Sequence, residues 1–149
     1  MPKLSQPILK LKRFDPTLPL PEYKTLGAAG LDLMARVAVE IAPQTVGYVP
    51  LNTALELPEG YFALLAARSS LHKKGLMLAN GIGVGDYDYR GENDEYVAAL
   101  YNFTPQIVAI SKGERLVQLL VVPVARVKIV EKQIFRGQNR GGFGSTGQI

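Results

Sequence analysis

The sequence predicts an all-β sandwich or barrel, and two observations carry that prediction. Short runs in which apolar and polar residues alternate recur at intervals of roughly ten residues, the period-2 pattern of half-buried strands. Between them lie fifteen glycines and ten prolines, scattered rather than tandem, which read as turns. One stretch departs from this rhythm: residues 69–75 (Ser-Ser-Leu-His-Lys-Lys-Gly) offer a serine to cap a short helix and Gly75 to end it. A chain of 149 residues fits one domain and can bury a core unaided. No internal repeat is visible.

Taken in order, residues 8–14 alternate apolar and basic side chains as an edge strand does. Pro16, Pro19 and Pro21 then impose an extended connection with few backbone donors. Residues 31–35 form the next strand, with Asp32 on the face opposite its leucine neighbours. Val37, Val39 and Ile41 continue the alternation up to Pro43. Residues 46–57 hold a strand pair closed by the Pro58-Glu59-Gly60 turn. Residues 61–67 are a continuous apolar run of strand length, expected to be buried. Beyond the short helix, residues 96–103, 107–110, 115–124 and 127–135 complete the series. Residues 136–149 break it, with five glycines, two arginines, a Ser-Thr pair and Phe143. Such a tail builds no packed element alone and is expected to be mobile, which divides the chain into a domain at 1–135 and a tail at 136–149. Its successive N–H groups can also converge on a phosphate.

The formal charge is +4 and the sequence pI is near 9.4, a balance that favours anionic partners such as phosphate esters, nucleic acid or acidic lipid. Lys3, Lys10, Lys12 and Arg13 alternate with apolar residues and read as a solvated strand face, so no nucleic-acid partner is expected. The absence of cysteine removes disulfides and thiolate metal sites, and a single histidine, His72, argues against a His-based triad or zinc site. No apolar run approaches a membrane span, and the N-terminus lacks the apolar core of a signal peptide. No membrane partner is expected, and a cytoplasmic location is.

The chemistry concentrates in Asn80-Gly81-Ile82-Gly83-Val84-Gly85-Asp86-Tyr87-Asp88-Tyr89-Arg90-Gly91. Glycines at alternate positions bare one face of an extended segment, where a ligand can meet the backbone. Two carboxylates, two tyrosines and an arginine follow directly. The stretch reads either as a bulged hairpin or as a holder for a small polar molecule.

Five segments, in order, resemble the motifs of the trimeric dUTPases (dUTP diphosphatases). They are Ala28-Ala29-Gly30-Leu31-Asp32-Leu33, Ala67-Arg68-Ser69-Ser70-Leu71, the central stretch ending Asp86-Tyr87-Asp88-Tyr89-Arg90-Gly91, Lys112-Gly113-Glu114-Arg115-Leu116-Val117-Gln118-Leu119, and Arg140-Gly141-Gly142-Phe143-Gly144-Ser145-Thr146-Gly147. The resemblance implies a jelly-roll-like subunit in a homotrimer, with active sites at the subunit boundaries built by motifs of different copies and closed by the C-terminal tail. It implies hydrolysis of dUTP to dUMP and pyrophosphate with Mg²⁺.

By the same resemblance, Asp86 is the general base that activates water, and Asp32 holds Mg²⁺ through a water. Arg68 offers a planar fork to phosphate oxygens, and Ser69, Ser70 and Gln118 add donors. Asn80 and the backbone at Gly83 read uracil, and the Tyr89 ring packs on the deoxyribose and leaves no room for a 2′-hydroxyl. Phe143 stacks over the base while Gly144, Ser145 and Thr146 wrap the γ-phosphate. The chain departs from the family pattern in places. Ser70 replaces a usual glycine, Gly85 a usual β-branched residue, and the link at residues 92–95 is about three residues longer than usual. Where the family has its tail arginine stands Gln138, flanked by Arg136 and Arg140; Arg136 is the preferred phosphate clamp because Gly137 follows it. Two alternatives stay open: a dCTP deaminase-type enzyme of similar fold, and a non-catalytic dUTP-sensing trimeric module.

Overall fold

The computed structural model describes residues 6–143. Among them are eleven strands: β1 (Lys10–Arg13), β2 (Leu31–Met34), β3 (Val39–Ile41), β4 (Val46–Pro50), β5 (Thr53–Glu56), β6 (Tyr61–Ala67), β7 (Leu76–Leu78), β8 (Gly83–Gly85), β9 (Val97–Asn102), β10 (Val108–Ile110) and β11 (Arg115–Pro123). Every pairing is antiparallel. A four-stranded sheet runs β2-β11-β6-β8, a three-stranded sheet runs β4-β9-β7, and β1-β5 and β3-β10 form two further ribbons. Neighbours in a sheet are mostly distant in sequence, which is the crossed connectivity of a jelly roll and bears out the all-β expectation.

The alternation in the sequence is what buries the core. In β9, Ala98, Leu100 and Asn102 point inward, and in β11 Val117 and Leu119 are fully buried. They meet Leu33, Val49, Leu55, Leu65 and Leu76 in one cluster. The apolar run of β6 is covered on both faces: Ala63 and Leu65 are buried and Leu64 and Ala66 half-buried. Asn102, one of three buried polar residues among those described, with Asn52 and Thr53, has its side-chain amide fully used. Its amide donates to the carbonyls of Ile41, Ala42 and Gln106 at 3.0, 3.2 and 2.7 Å, and its oxygen accepts from the Thr104 N–H and hydroxyl at 2.9 and 2.8 Å. That satisfaction is what makes a buried amide tolerable.

Three expectations need correction. Residues 46–57 do hold two strands, but not a pair: β4 joins β9 and β5 joins β1. The chain turns between them at Asn52, in the left-handed region (φ 62°), with its side chain bonded to both backbone polar groups of Asp15. The short helix is a single 3₁₀ turn, Leu71–Lys74; Gly75 ends it at φ 83° as expected, while Ser70 occupies the cap position without a side-chain capping bond. Residues 127–135 form no strand. Ile129 and Phe135 are 89% and 82% exposed. A strand needs a partner edge for its N–H and C=O groups, and this segment meets none among the described residues. No helix among the described residues is long and apolar enough to cross a membrane.

Candidate active site

The candidate residues gather at two ends of the four-stranded sheet. One end is built by β8 and the turn after it. Among the described residues β8 is an edge strand, paired only with β6, so one side of its backbone carries N–H and C=O groups outside any strand pairing. Asn80, Gly83 and Tyr89 line one cavity of about 260 Å³ together with Leu65, Gly85 and Tyr96. The central stretch is not a hairpin: β7 before it joins β9, and β8 joins β6. Its glycine face is open at Gly81, where a Cβ would meet nothing within 4 Å, but not at Gly83 or Gly85. A Cβ at Gly83 would lie 3.0 Å from Leu65 Cβ, and one at Gly85 would lie 2.1 Å from the Tyr96 hydroxyl. At Gly83 and Gly85 the protein's own side chains fill the space beside the glycines, so what β8 offers a ligand is its backbone edge.

Residues 86–89 close a turn in which the Tyr89 N–H donates to the Asp86 carbonyl at 3.1 Å. The turn uses the backbone of Asp86 and leaves its carboxylate exposed, with no hydrogen bond or ion pair to another described residue. Asp86 lines a second cavity, about 550 Å³, with Phe62, Tyr87, Asp88 and Arg126. The Tyr89 ring is fixed from two sides. Its hydroxyl donates to the Glu95 carbonyl at 2.9 Å, and its ring meets Tyr96 edge-on at 5.3 Å between centroids. Burial first, then the charges of Asp94 and Glu95, raises the Tyr89 hydroxyl above the usual tyrosine range.

At the other end stands Asp32, on β2, with both oxygens engaged. Arg68 Nε lies 3.0 Å from one and Arg115 Nη1 3.2 Å from the other. Arg68 follows the last residue of β6, and its second nitrogen donates to the Arg115 carbonyl at 3.3 Å. Arg115 reaches Asp32 because β11 carries a bulge between Arg115 and Val117, which re-aims the side chain. Gln118 sits opposite Asp32 in register and donates to the Ala67 carbonyl at 3.2 Å. It lies close because Gly30 has no side chain: a Cβ there would come within 3.2 Å of Gln118. Ser69 and Ser70 are exposed in the turn that follows Arg68. Sequence reasoning missed Arg115 and Arg126 as candidate phosphate partners. Arg115 lies inside a quoted motif, yet only the bulge places it beside Arg68.

These two ends do not meet in one chain. Gly85, just before Asp86, pairs with Ala63, whereas Arg68 lies five residues beyond Ala63, just past the end of β6, a distance of roughly 15 Å at strand rise. Of the tail residues, Arg136, Arg140 and Phe143 lie in irregular, exposed backbone; Gly144, Ser145 and Thr146 fall outside the described residues. The acidic link at residues 92–95 is spent on structure. Glu95 holds Arg36 by two bonds of 2.7 and 3.0 Å and accepts the Asn52 N–H, and Asp94 accepts the Gly91 N–H at 2.7 Å. Among the described residues no group of three acidic or histidine side chains could hold a metal ion.

The dUTPase family model matches residues 17–147. A deoxyuridine 5′-triphosphate nucleotidohydrolase of Hydrogenobaculum sp. (strain Y04AAS1) is 43% identical over 143 residues, 93% of this chain and 97% of that one. Another, from Anaeromyxobacter sp. (strain Fw109-5), is 41% identical over 136 residues, 89% and 90% of the two chains. Among solved structures, a dUTPase from Streptococcus mutans superposes with a TM-score of 0.73 at 32% identity, covering 79% of this chain and 98% of that one. The dUTPase of Staphylococcus bacteriophage 80alpha with dUPNHPP reaches a TM-score of 0.83 at 24% identity, covering 94% and 98%, a likeness of fold. With the motifs found in order, the architecture matched and the family model spanning most of its length, the chain belongs to the dUTPase family.

Proposed function

We propose that this dUTP diphosphatase works by holding a water at Asp86 and aiming it at the α-phosphorus of dUTP. One observation carries the reading: Asp86 presents an exposed carboxylate, unengaged by other described residues, immediately after the edge strand. A carboxylate is ionised at neutral pH and accepts a proton as a weak base, so orientation of the water supplies most of its effect. The water oxygen forms the new bond to phosphorus, and its proton passes to Asp86. The bond from phosphorus to the α,β-bridging oxygen breaks, and pyrophosphate leaves.

Uracil presents one donor flanked by two acceptors, which the unpaired edge of β8 at Gly83 and the Asn80 amide can match. Tyr89, clamped as it is, excludes a 2′-hydroxyl from the sugar's place. Arg68, Ser69, Ser70 and Gln118 hold the phosphates, with Arg115 as an added cation beside Arg68. The separation of these groups from Asp86 within one chain supports a homotrimer in which each site takes its two halves from different copies. The exposed apolar residues 127–135 are then a segment whose partner edge belongs to another copy. In the closed complex Phe143 stacks on the base, Arg136 or Arg140 clamps phosphate, and Gly144, Ser145 and Thr146 wrap it, so residues 136–149 act as a tail over the 1–135 domain.

Asp32, with both oxygens on arginines, does not fit as a direct metal ligand; its remaining lone pairs fit only a metal-bound water. Mg²⁺ keeps several waters and takes few protein ligands, so it is expected to arrive on the triphosphate, where it neutralises charge. A cytoplasmic location is part of the same proposal. The test is pyrophosphate release across dUTP, dCTP, dTTP and UTP, with ammonia release from dCTP assayed alongside. Selective release from dUTP is expected; ammonia from dCTP would replace the reading with a deaminase.

A further inference from the structure

Tyr96 is 5% exposed, and its hydroxyl is the one buried side-chain polar atom among the described residues with no hydrogen-bond partner. An unpaired buried hydroxyl is costly, so a core that needed only volume would be better served by Phe or Leu. Two features explain the ring. It fills the place a side chain at position 85 would take: a Cβ on Gly85 would lie 2.7 Å from two ring carbons as well as 2.1 Å from the hydroxyl. It also meets Tyr89 edge-on, and the residue before it supplies the carbonyl that accepts the Tyr89 hydroxyl. The link leading to this pair is pinned by Arg36 and the Asn52 N–H on Glu95 and by Gly91 on Asp94. Gly85 and the longer link at residues 92–95, both departures from the family pattern, therefore serve one end: they make room for Tyr96 and bring it against Tyr89.

We infer that Tyr96 is a positioning residue for sugar selection, its ring holding Tyr89 in the orientation that excludes a 2′-hydroxyl. This rests on the reading of Tyr89 as the group that excludes ribose. The ring does the positioning, and the hydroxyl contributes nothing to it. Tyr96→Leu removes the edge-on contact and leaves Tyr89 free to tilt. Tyr96→Phe keeps the contact.

The test measures kcat and KM for dUTP and for UTP in Tyr96→Leu, Tyr96→Phe and Tyr89→Ala, each checked for folding by its melting transition. Tyr96→Leu should raise UTP kcat/KM relative to dUTP by about tenfold, the scale of one lost aromatic contact. Tyr96→Phe should keep the parent ratio. Should Tyr96→Leu fail to fold, Gly85→Ala presses on the same ring from beneath and should also relax the ratio. If Tyr89→Ala admits UTP while folded Tyr96→Leu and Gly85→Ala both keep the parent ratio, the positioning role is wrong and the Tyr89 reading stands. If Tyr89→Ala itself keeps the ratio, both fall. A loss of discrimination in Tyr96→Phe would overturn the inference by assigning the work to the hydroxyl.

Discussion

Each end of the β2-β11-β6-β8 sheet presents a candidate aspartate, Asp86 at one and Asp32 at the other, in opposite circumstances. Asp86 makes no side-chain bond to another described residue and is exposed; Asp32 is half-buried and gives one oxygen to Arg68 and the other to Arg115. A carboxylate left open can take a proton from water, whereas one saturated by guanidinium groups serves to hold them. In the proposed function the same residue type is a base at one end and an anchor for phosphate-binding cations at the other. Residue identity does not assign the role; the neighbours do. In that proposal the distance between the ends leaves neither of them complete alone.

Breaking the open end should have the largest effect. Asp86→Asn keeps the size of the side chain and removes the proton acceptor, so kcat should fall by about 10³-fold or more, within the range general-base loss produces. Binding of an uncleavable dUTP analogue, followed by calorimetry, should persist, and undiminished pyrophosphate release would remove Asp86 from the role. At the closed end, Arg68→Ala deletes a forked phosphate contact. A loss of about 10²-fold in kcat/KM is expected, carried mainly by KM if Arg68 binds ground state and transition state alike. Asp32→Asn leaves both arginines in place but unanchored. It should cost about tenfold in kcat/KM with little change in kcat, and a loss as deep as that of Asp86→Asn would make Asp32 a participant in the chemistry rather than an anchor.

The smallest effect concerns Tyr96, which packs behind the open end. Burial above all, then the neighbouring Tyr89 and the charge of Asp86, pushes its hydroxyl up to about 12. The fold favours the neutral form. Its contribution to stability is therefore complete below the ordinary tyrosine range near 10, and is lost as pH rises from there through about 12. Tyrosinate absorbance should show Tyr96 as the latest of the seven tyrosines to titrate, with Tyr89 also above the ordinary range. Tyr96→Phe should abolish that late phase and the stability loss that accompanies it.

How much of this was legible in the sequence depends on whether the needed information was local. Alternation located β1, β9 and β11 to within a residue or two, because burial of one face is written every second position, and a continuous apolar run located β6. It misjudged residues 127–135, which are rich in β-branched residues, because composition does not say whether an edge exists to pair with. It read residues 46–57 as neighbours, because strand order in a jelly roll is set by contacts far along the chain. The glycines at 83 and 85 were visible as a bared face, yet Leu65 and Tyr96, which fill it, come from β6 and the residue just before β9. Arg115 needed a bulge to be seen. The motif residues themselves were legible through resemblance, but their division between two ends of one sheet was not.

The central claim is that a working site joins the open end of one copy to the closed end of another. Asp86→Asn and Arg68→Ala chains, each nearly inactive alone, can be mixed by co-expression or by joint refolding, and the mixture assayed for pyrophosphate release from dUTP. The account predicts that activity returns, because mixed trimers rebuild sites with an intact Asp86 from one copy and an intact Arg68 from another. Mixed trimers that form, yet stay as inactive as their parents at every ratio, would contradict it.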